Sequence, residues 1–128
     1  MAQACCESSS NIMILACSGG SNVGQMTNQA AVELTKEGFG KMFCLAGIGG
    51  HLSGFIQSAK DVPTLVVLDG CQIGCAKALL SHAGIAISHY VELTNEGFEK
   101  NKNFDLKSSD VEKVKEIIKT AVSGGVKA

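Results

Sequence analysis

Apolar stretches and amphipathic stretches alternate along the chain. The apolar, partly β-branched runs predict buried strands at residues 11–17, 41–46, 62–68 and 85–93. Apolar positions spaced three and four apart predict helices that begin near residues 22, 51, 73 and 108. Ser109 and Glu112 have the spacing of a capping box at the start of the last helix. The alternation therefore predicts four strands, each followed by a helix.

This order of elements defines the expected fold. Right-handed crossovers between parallel strands predict an α/β fold, a three-layer sandwich around a mostly parallel four-stranded sheet of the Rossmann-like or flavodoxin-like kind. We expect the strand order 2-1-3-4. Residues 1–10 carry Cys5 and Cys6 without any periodicity and are expected to form a flexible tail, whereas residues 11–128 are expected to form one domain.

Composition narrows the classes of function. The chain has 128 residues, of which 45% are hydrophobic and 18% charged, and its formal net charge is -1. All eleven basic residues are lysines, so the bidentate arginine contacts that read phosphate and guanine are absent, and no nucleic-acid partner is expected. No apolar segment approaches the roughly 20 residues that cross a bilayer, so we expect no membrane association and a cytoplasmic location. In that compartment, six cysteines indicate metal ligands or redox thiols rather than disulfides.

Four cysteines fall at the edge of the predicted sheet where the strands end. Cys17 ends the first strand, Cys44 lies in the later half of the second, and Cys71 follows the third. Cys75 is four residues after Cys71, a spacing that places both on one face of a helix. Ligands of open parallel sheets bind at this edge. Because Zn²⁺ neutralises clustered thiolates with tetrahedral geometry, we expect zinc here, although an iron–sulfur cluster accepts the same ligands.

Three segments of the chain resemble the DGC domain family, which is described as zinc-binding. They are CSGGSNVGQ at 17–25, CLAGIGGHLSGF at 44–55 and DGCQIGCAKALL at 69–80. The family is named for an Asp-Gly-Cys sequence, which is present here as Asp69, Gly70 and Cys71. The likeness extends from about residue 11 into the last helix. It implies that four cysteines chelate the metal, namely Cys17, Cys44, Cys71 and Cys75, and it implies no particular biochemical activity.

Two other kinds of site stay open. A thiol enzyme for redox chemistry or sulfur transfer would use Cys71 or Cys17 as its nucleophile and a neighbouring cysteine to resolve the product. Alternatively, the loop after the first strand would hold a small anion with backbone N–H groups at the start of a helix. That loop consists of Ser18, Gly19, Gly20, Ser21 and Asn22.

The remaining candidate residues have structural explanations. Asp69 lies between a strand and a helix, so we expect it to cap the helix, or else to orient a ligand. Either Ser21 or Asn22 is expected to cap the first helix. The three histidines, His51, His82 and His89, are expected to have surface or core roles.

Overall fold

A parallel four-stranded sheet lies at the centre of the structure, which is a computed structural model that describes residues 11–124. Its strands are β1 (Ile12–Ala16), β2 (Lys41–Met42), β3 (Thr64–Asp69) and β4 (His89–Glu92). They lie in the order β2-β1-β3-β4, and every neighbouring pair is parallel. The predicted strand order is confirmed. The tail predicted for residues 1–10 lies outside the described residues.

Within residues 11–124, five α-helices cover the two faces of the sheet. They are α1 (Asn22–Lys36), α2 (Leu45–Gly49), α3 (Ser53–Asp61), α4 (Cys75–His82) and α5 (Ser108–Gly124), and a 3-10 turn follows β4 at Leu93–Glu96. Helices α1 and α5 pack against the face that carries Ile14 and Val66, and the other three pack against the face of Leu15 and Val67. Successive residues of a strand pack against opposite helical layers because their side chains point alternately to the two faces of the sheet. The predicted α/β sandwich is therefore confirmed.

The second strand is shorter than predicted. It ends at Met42, and Cys44 is the N-cap of helix α2 with an extended backbone, so Cys44 does not lie within a strand. Phe43 N continues the pairing with Ile14 O at 2.9 Å before the chain turns away. A short apolar run such as KMFCLA has no periodicity that separates a strand from the start of a buried helix.

The turn after β3 is longer than predicted. Helix α4 begins at Cys75 instead of residue 73, because Gly74 adopts a left-handed conformation with φ of 67°. Cys71 therefore lies in the turn before the helix, and the prediction that Cys71 and Cys75 share one helix face is wrong. The fourth strand is also shorter than predicted, with pairing only at His89–Glu92.

The last helix begins without the predicted capping box. Ser109 lies within α5, which starts at Ser108, and the N–H groups of Asp110 and Val111 donate to Lys107 O. The Glu112 carboxylate instead accepts from Lys115 Nζ at 2.9 Å.

Within residues 11–124, no helix combines the length and the hydrophobicity that a membrane crossing requires.

Candidate functional site

A crevice opens where the strand order reverses. Helix α1 leads from β1 across one face of the sheet and α4 leads from β3 across the other, so the chain leaves the carboxyl ends of these two strands in opposite directions. Open α/β sheets bind ligands at this position. A cavity of about 180 Å³ lies here, lined by both loops and by two lysines from the segment after β4.

Three of the four candidate cysteines line this cavity. They are Cys17, Cys71 and Cys75, of which the first two are partly buried and the third is exposed. Cys44 is exposed and is not part of the cavity wall. In the described range 11–124, no three His, Cys, Asp or Glu side chains are already grouped as ligands around one point.

Cys44 nevertheless begins a helix that runs beside α4. A side chain added at Gly49 would meet Leu79 Cδ2 at 2.9 Å, and the rings of His51 and His82 lie 5.1 Å apart. These contacts pair the end of α2 with the later part of α4. Helix α2 follows β2 and α4 follows β3, and these strands run parallel, so both helices start near the same edge of the sheet. The first turns of the two helices, with Cys44 and Cys75, are thus on the same side of the molecule.

The Cys17 sulfur faces the first turns of α1. Its Sγ atom lies 3.7 Å from Thr27 Oγ1. The hydroxyl proton of Thr27 is donated to Gly24 O at 2.7 Å, so Thr27 Oγ1 can only accept from the cysteine. It also accepts from Ser18 N at 3.4 Å, and Ser18 has a left-handed φ of 50°. This contact places the Cys17 sulfur beside the first turns of α1.

Cys71 has a cationic neighbour from a distant part of the chain. Lys100 Nζ donates to Cys71 Sγ at 3.4 Å. Lys102 Nζ, two residues further on, donates to Gly20 O at 2.7 Å. An electropositive surrounding is typical of reactive cysteines. The segment that carries both lysines is held in place by Asn22, whose Nδ2 group donates to Glu99 O at 2.8 Å.

Three of the five backbone N–H groups of the loop at residues 18–22 are already hydrogen-bonded within the protein. Ser21 caps α1 by accepting from Gly24 N at 3.1 Å, as the sequence predicts. The N–H groups of Ser18, Ser21 and Asn22 donate to acceptors within the protein. Gly19 and Gly20 also line the cavity, next to the two lysines.

Asp69 fixes the start of helix α4. Its carboxylate accepts from Ala76 N at 2.8 Å, from Lys77 N at 3.0 Å and from the Tyr90 hydroxyl at 2.8 Å, and the residue is buried. Burial and the hydrogen bond to Asp69 hold the pKa of Tyr90 well above its usual value, so Tyr90 stays a protonated donor. The capping role expected for Asp69 is therefore seen, and it positions Cys75, the first residue of the helix.

Gly70 allows two backbones to touch. A Cβ atom at Gly70 would lie 2.7 Å from Gly24 N, and one at Gly24 would lie 2.6 Å from Gly19 O. The turn after β3, the loop after β1 and the start of α1 thus meet without side chains between them. The glycine of the Asp-Gly-Cys sequence therefore serves the packing that brings Cys71 towards Cys17.

Sequence reasoning missed the residues that reach the site from far along the chain. Lys100, Lys102 and Tyr90 belong to this group. Ile73, between Cys71 and Cys75, was also missed, and it lines the cavity with 68% of its surface exposed. The two lysines stand in the irregular polar stretch EKNKNFDL, where no periodicity marks a buried or functional position. Their role depends on the tertiary fold alone.

The fold and the crevice define an α/β protein with a thiol-lined site at the edge of the sheet. Comparisons with known proteins identify its family. The model of the DGC domain matches residues 13–118. The Anaerobic and virulence modulator AnvM of Pseudomonas aeruginosa is 30% identical over 102 residues, which cover 80% of this chain and 78% of the relative. The chain belongs to the DGC domain family. No solved structure matches it.

Proposed function

We propose that this protein binds zinc through the thiolates of Cys17, Cys71 and Cys75, with Cys44 as the fourth ligand. The observation that supports the proposal is the shared cavity of about 180 Å³, whose wall contains the first three cysteines. Residues that are far apart in the sequence contribute to it, because the loops after β1 and β3 meet at the crevice.

The chemistry of the donor set suits zinc. Thiolates are the ligands of structural zinc sites. A zinc ion held by four thiolates keeps two uncompensated negative charges, and the ammonium groups of Lys100 and Lys102 bring two positive charges to the cavity. When bound, zinc supplies a fixed cross-link between the loops of the crevice. Zinc binds cysteine as the thiolate, so its binding would release protons, and at Cys71 it would compete with the hydrogen bond from Lys100.

Cys44 would reach the metal from the neighbouring helix start. It is exposed and has no side-chain capping bond that would hold it elsewhere. The ordering of the α2 start is therefore expected to accompany metal binding. A site of this kind suits a structural or sensing role in the cytoplasm, where thiols stay reduced. The name of the Pseudomonas aeruginosa relative, a modulator, is compatible with sensing.

Metal analysis of anaerobically purified protein tests this proposal. We expect one zinc per chain, and we expect the variants Cys17→Ser, Cys71→Ser and Cys75→Ser to lose it. The double variant Cys5→Ser/Cys6→Ser removes two thiols outside the described residues and serves as the control. Chelation should also lower the melting temperature, since structural zinc contributes roughly 10 to 16 kcal/mol in small peptides. Zinc that survives in Cys71→Ser after extensive dialysis against metal-free buffer, which removes weakly bound ions, would contradict the proposal, and visible absorption would indicate an iron–sulfur cluster instead.

Thiol chemistry at Cys71 is the second candidate function, and the hydrogen bond from Lys100 favours it. The Cys71 thiolate would attack the disulfide of a substrate and release one substrate thiol. Cys75, which lines the same cavity, would then attack Cys71 and release the second thiol. The substrate disulfide is thereby reduced, and the two cysteines are oxidised to a disulfide. The same nucleophile would serve sulfur transfer.

Alkylation rates separate the two functions. A single fast thiol at Cys71 in the metal-loaded protein supports the enzyme, whereas uniform protection of Cys17, Cys71 and Cys75 supports the zinc site. Small-anion binding between Gly19, Gly20 and the two lysines is a third candidate. It would appear as thermal stabilisation by phosphate that the variant Lys102→Met no longer shows.

A further inference from the structure

Two histidines form a second group of metal-ligating side chains, away from the crevice. The ring centres of His51 and His82 lie 5.1 Å apart, and the ring planes meet at 69°. Both side chains are exposed. His82 is the last residue of α4 and Cys75 is the first, so about 10 Å of helix separates the pair from the cysteine at the crevice.

The spacing of the rings matches shared ligation of one ion. An imidazole nitrogen binds zinc at about 2.0 to 2.1 Å, and two such rings at a tetrahedral angle have their centres about 5 Å apart. The observed separation of 5.1 Å is close to this spacing. An edge-to-face aromatic pair has a similar spacing, so a test has to distinguish the two.

His51 occupies a backbone position that glycine fills elsewhere in this chain. Helices α1 and α4 end in a left-handed residue, Gly38 and Gly84, and the N–H of each donates back to the helix. Helix α2 ends in the same way, with His51 N donating to Ile48 O at 2.9 Å and Leu52 N to Gly47 O at 3.1 Å. His51 has a φ of 59° there. A histidine in this position places an imidazole beside the end of α4 at the cost of a backbone conformation that side chains disfavour.

We propose that His51 and His82 together bind a borderline divalent ion such as Zn²⁺ or Ni²⁺ independently of the cysteines. Imidazole ligands suit these ions. Within residues 11–124, no third His, Cys, Asp or Glu joins this pair to make a group of three, so water completes the coordination. The site is therefore open and exchangeable, in contrast to the four-thiolate site proposed at the crevice. It joins the turn between α2 and α3 to the end of α4.

NMR of the histidine rings tests the site in the full-length chain. We would titrate Zn²⁺ into the protein and into Cys71→Ser, and repeat the titration with Ni²⁺. The ring signals of His51 and His82 are expected to shift together in both proteins, while those of His89, which lies on β4, stay in place. The cysteine variant changes binding at the crevice alone, so loss of one site is distinguishable from loss of the other.

Single substitutions show whether both rings hold the same ion. The variant His51→Asn keeps a residue that tolerates the left-handed conformation, and His82→Ala removes the other ring. Each is expected to weaken Zn²⁺ binding at the remaining ring about a hundredfold, because the second ligand is lost. The control His89→Ala is expected to leave the affinity unchanged. The proposal is overturned if the rings do not shift with either ion, which indicates an aromatic pair only, or if each ring binds unchanged without its partner.

Discussion

Asn22 and Asn101 are joined by two hydrogen bonds, one between their backbones and one from the Asn101 backbone to the Asn22 side chain. Asn22 N donates to Asn101 O at 2.9 Å, and Asn101 N donates to Asn22 Oδ1 at 2.6 Å. Because Asn22 begins α1 and Asn101 separates Lys100 from Lys102, this pair sets the position of both lysines over the crevice. The position of the two lysines at the candidate site therefore depends on Asn22, for which the sequence predicted only a role as a helix cap or as part of an anion-binding loop.

Removal of the Asn22 amide should release the lysine segment. The variant Asn22→Ala loses two hydrogen bonds of a buried side chain, and we expect the free energy of unfolding to fall by about 2 kcal/mol. Alkylation of Cys71 should become slower, because the ammonium group of Lys100 is no longer held beside its sulfur. Urea unfolding and thiol kinetics measure the two effects. The half-buried Asn28 on the same helix is the control, and Asn28→Ala should change stability by less than about 0.5 kcal/mol. Equal effects of the two variants would refute the anchoring role.

Gly70 should not tolerate a methyl group. The variant Gly70→Ala forces a Cβ atom to 2.7 Å from Gly24 N, a backbone atom that cannot move aside, so we expect a loss of about 3 kcal/mol. Gly54, in the first turn of α3, has nothing within 4 Å of the added atom, and Gly54→Ala should stabilise the helix by about 0.5 to 1 kcal/mol. Thermal denaturation of both variants checks the contrast. A stable Gly70→Ala protein would show that the loops can separate without cost.

His51 should reduce the stability of the protein. Replacement with glycine, which adopts a φ near 59° without strain, is expected to raise the free energy of unfolding by about 1 kcal/mol. The reverse change at the matching position, Gly84→Ala, has space for its methyl group but keeps φ near 71°, and should lower stability by about the same amount. Chemical denaturation in the presence of a chelator measures both without a bound ion. No gain in His51→Gly would mean that the imidazole contact with His82 offsets the strain.

The ion pairs of Lys115 should make the stability of the protein fall at acidic pH. It is buried between α5 and α1, where its Nζ atom pairs with Glu33, Glu37 and Glu112. At Glu33, hydrogen bonds from Gln29 and from Lys115 hold the pKa of the carboxyl below its usual 4.5. At Glu37, the hydrogen bond from Lys115 likewise holds the pKa below 4.5. A carboxyl group with a lowered pKa in the folded protein stabilises the fold at pH values above its pKa in the unfolded chain. This contribution disappears as the pH falls through its pKa in the folded protein. Stability should therefore fall below about pH 4.5.

The variant Lys115→Met tests the acid effect. It should be less stable than the native protein at pH 7 and should lose less stability on acidification, since Glu33 and Glu37 return towards their usual pKa. The exposed Lys113 on the same helix gives the control variant Lys113→Met, which should keep the native pH profile. Urea unfolding at several values between pH 3.5 and pH 7 measures the slopes. The assignment fails if the two variants behave alike.

The order of elements could be predicted because hydrophobic periodicity is a local property of the sequence. Strand β3 and helix α5 show their periods clearly, and the crossover rule then leaves few arrangements of the sheet. The residues at which helices and strands begin and end were harder to predict from the sequence. The left-handed Gly74 moves the start of α4 past Cys71, and the short β2 leaves Cys44 as a helix cap, and neither effect has a periodic signal.

The candidate site could be predicted in part for the same reason. Cys17 and Cys71 follow directly from the ends of neighbouring strands, and the structure places both at one cavity. The lysines could not be predicted, since their place depends on an irregular segment held by Asn22, 77 to 79 positions away. The pairing of His51 with His82 likewise arises from the contact between two helices that the sequence does not reveal.

The anchoring of residues 99–101 at the start of α1 gives the protein a defined order of maturation during synthesis. The ribosome releases Cys17, Cys71 and Cys75 before it releases the lysines that border them. Until residue 102 has emerged and Asn22 has bound its partners, Cys71 lacks the ammonium group of Lys100 beside its sulfur. Cys71 of newly made protein is therefore less reactive than Cys71 of finished protein, and pulse-labelled chains should react more slowly with a thiol probe at this cysteine than chains that have completed folding.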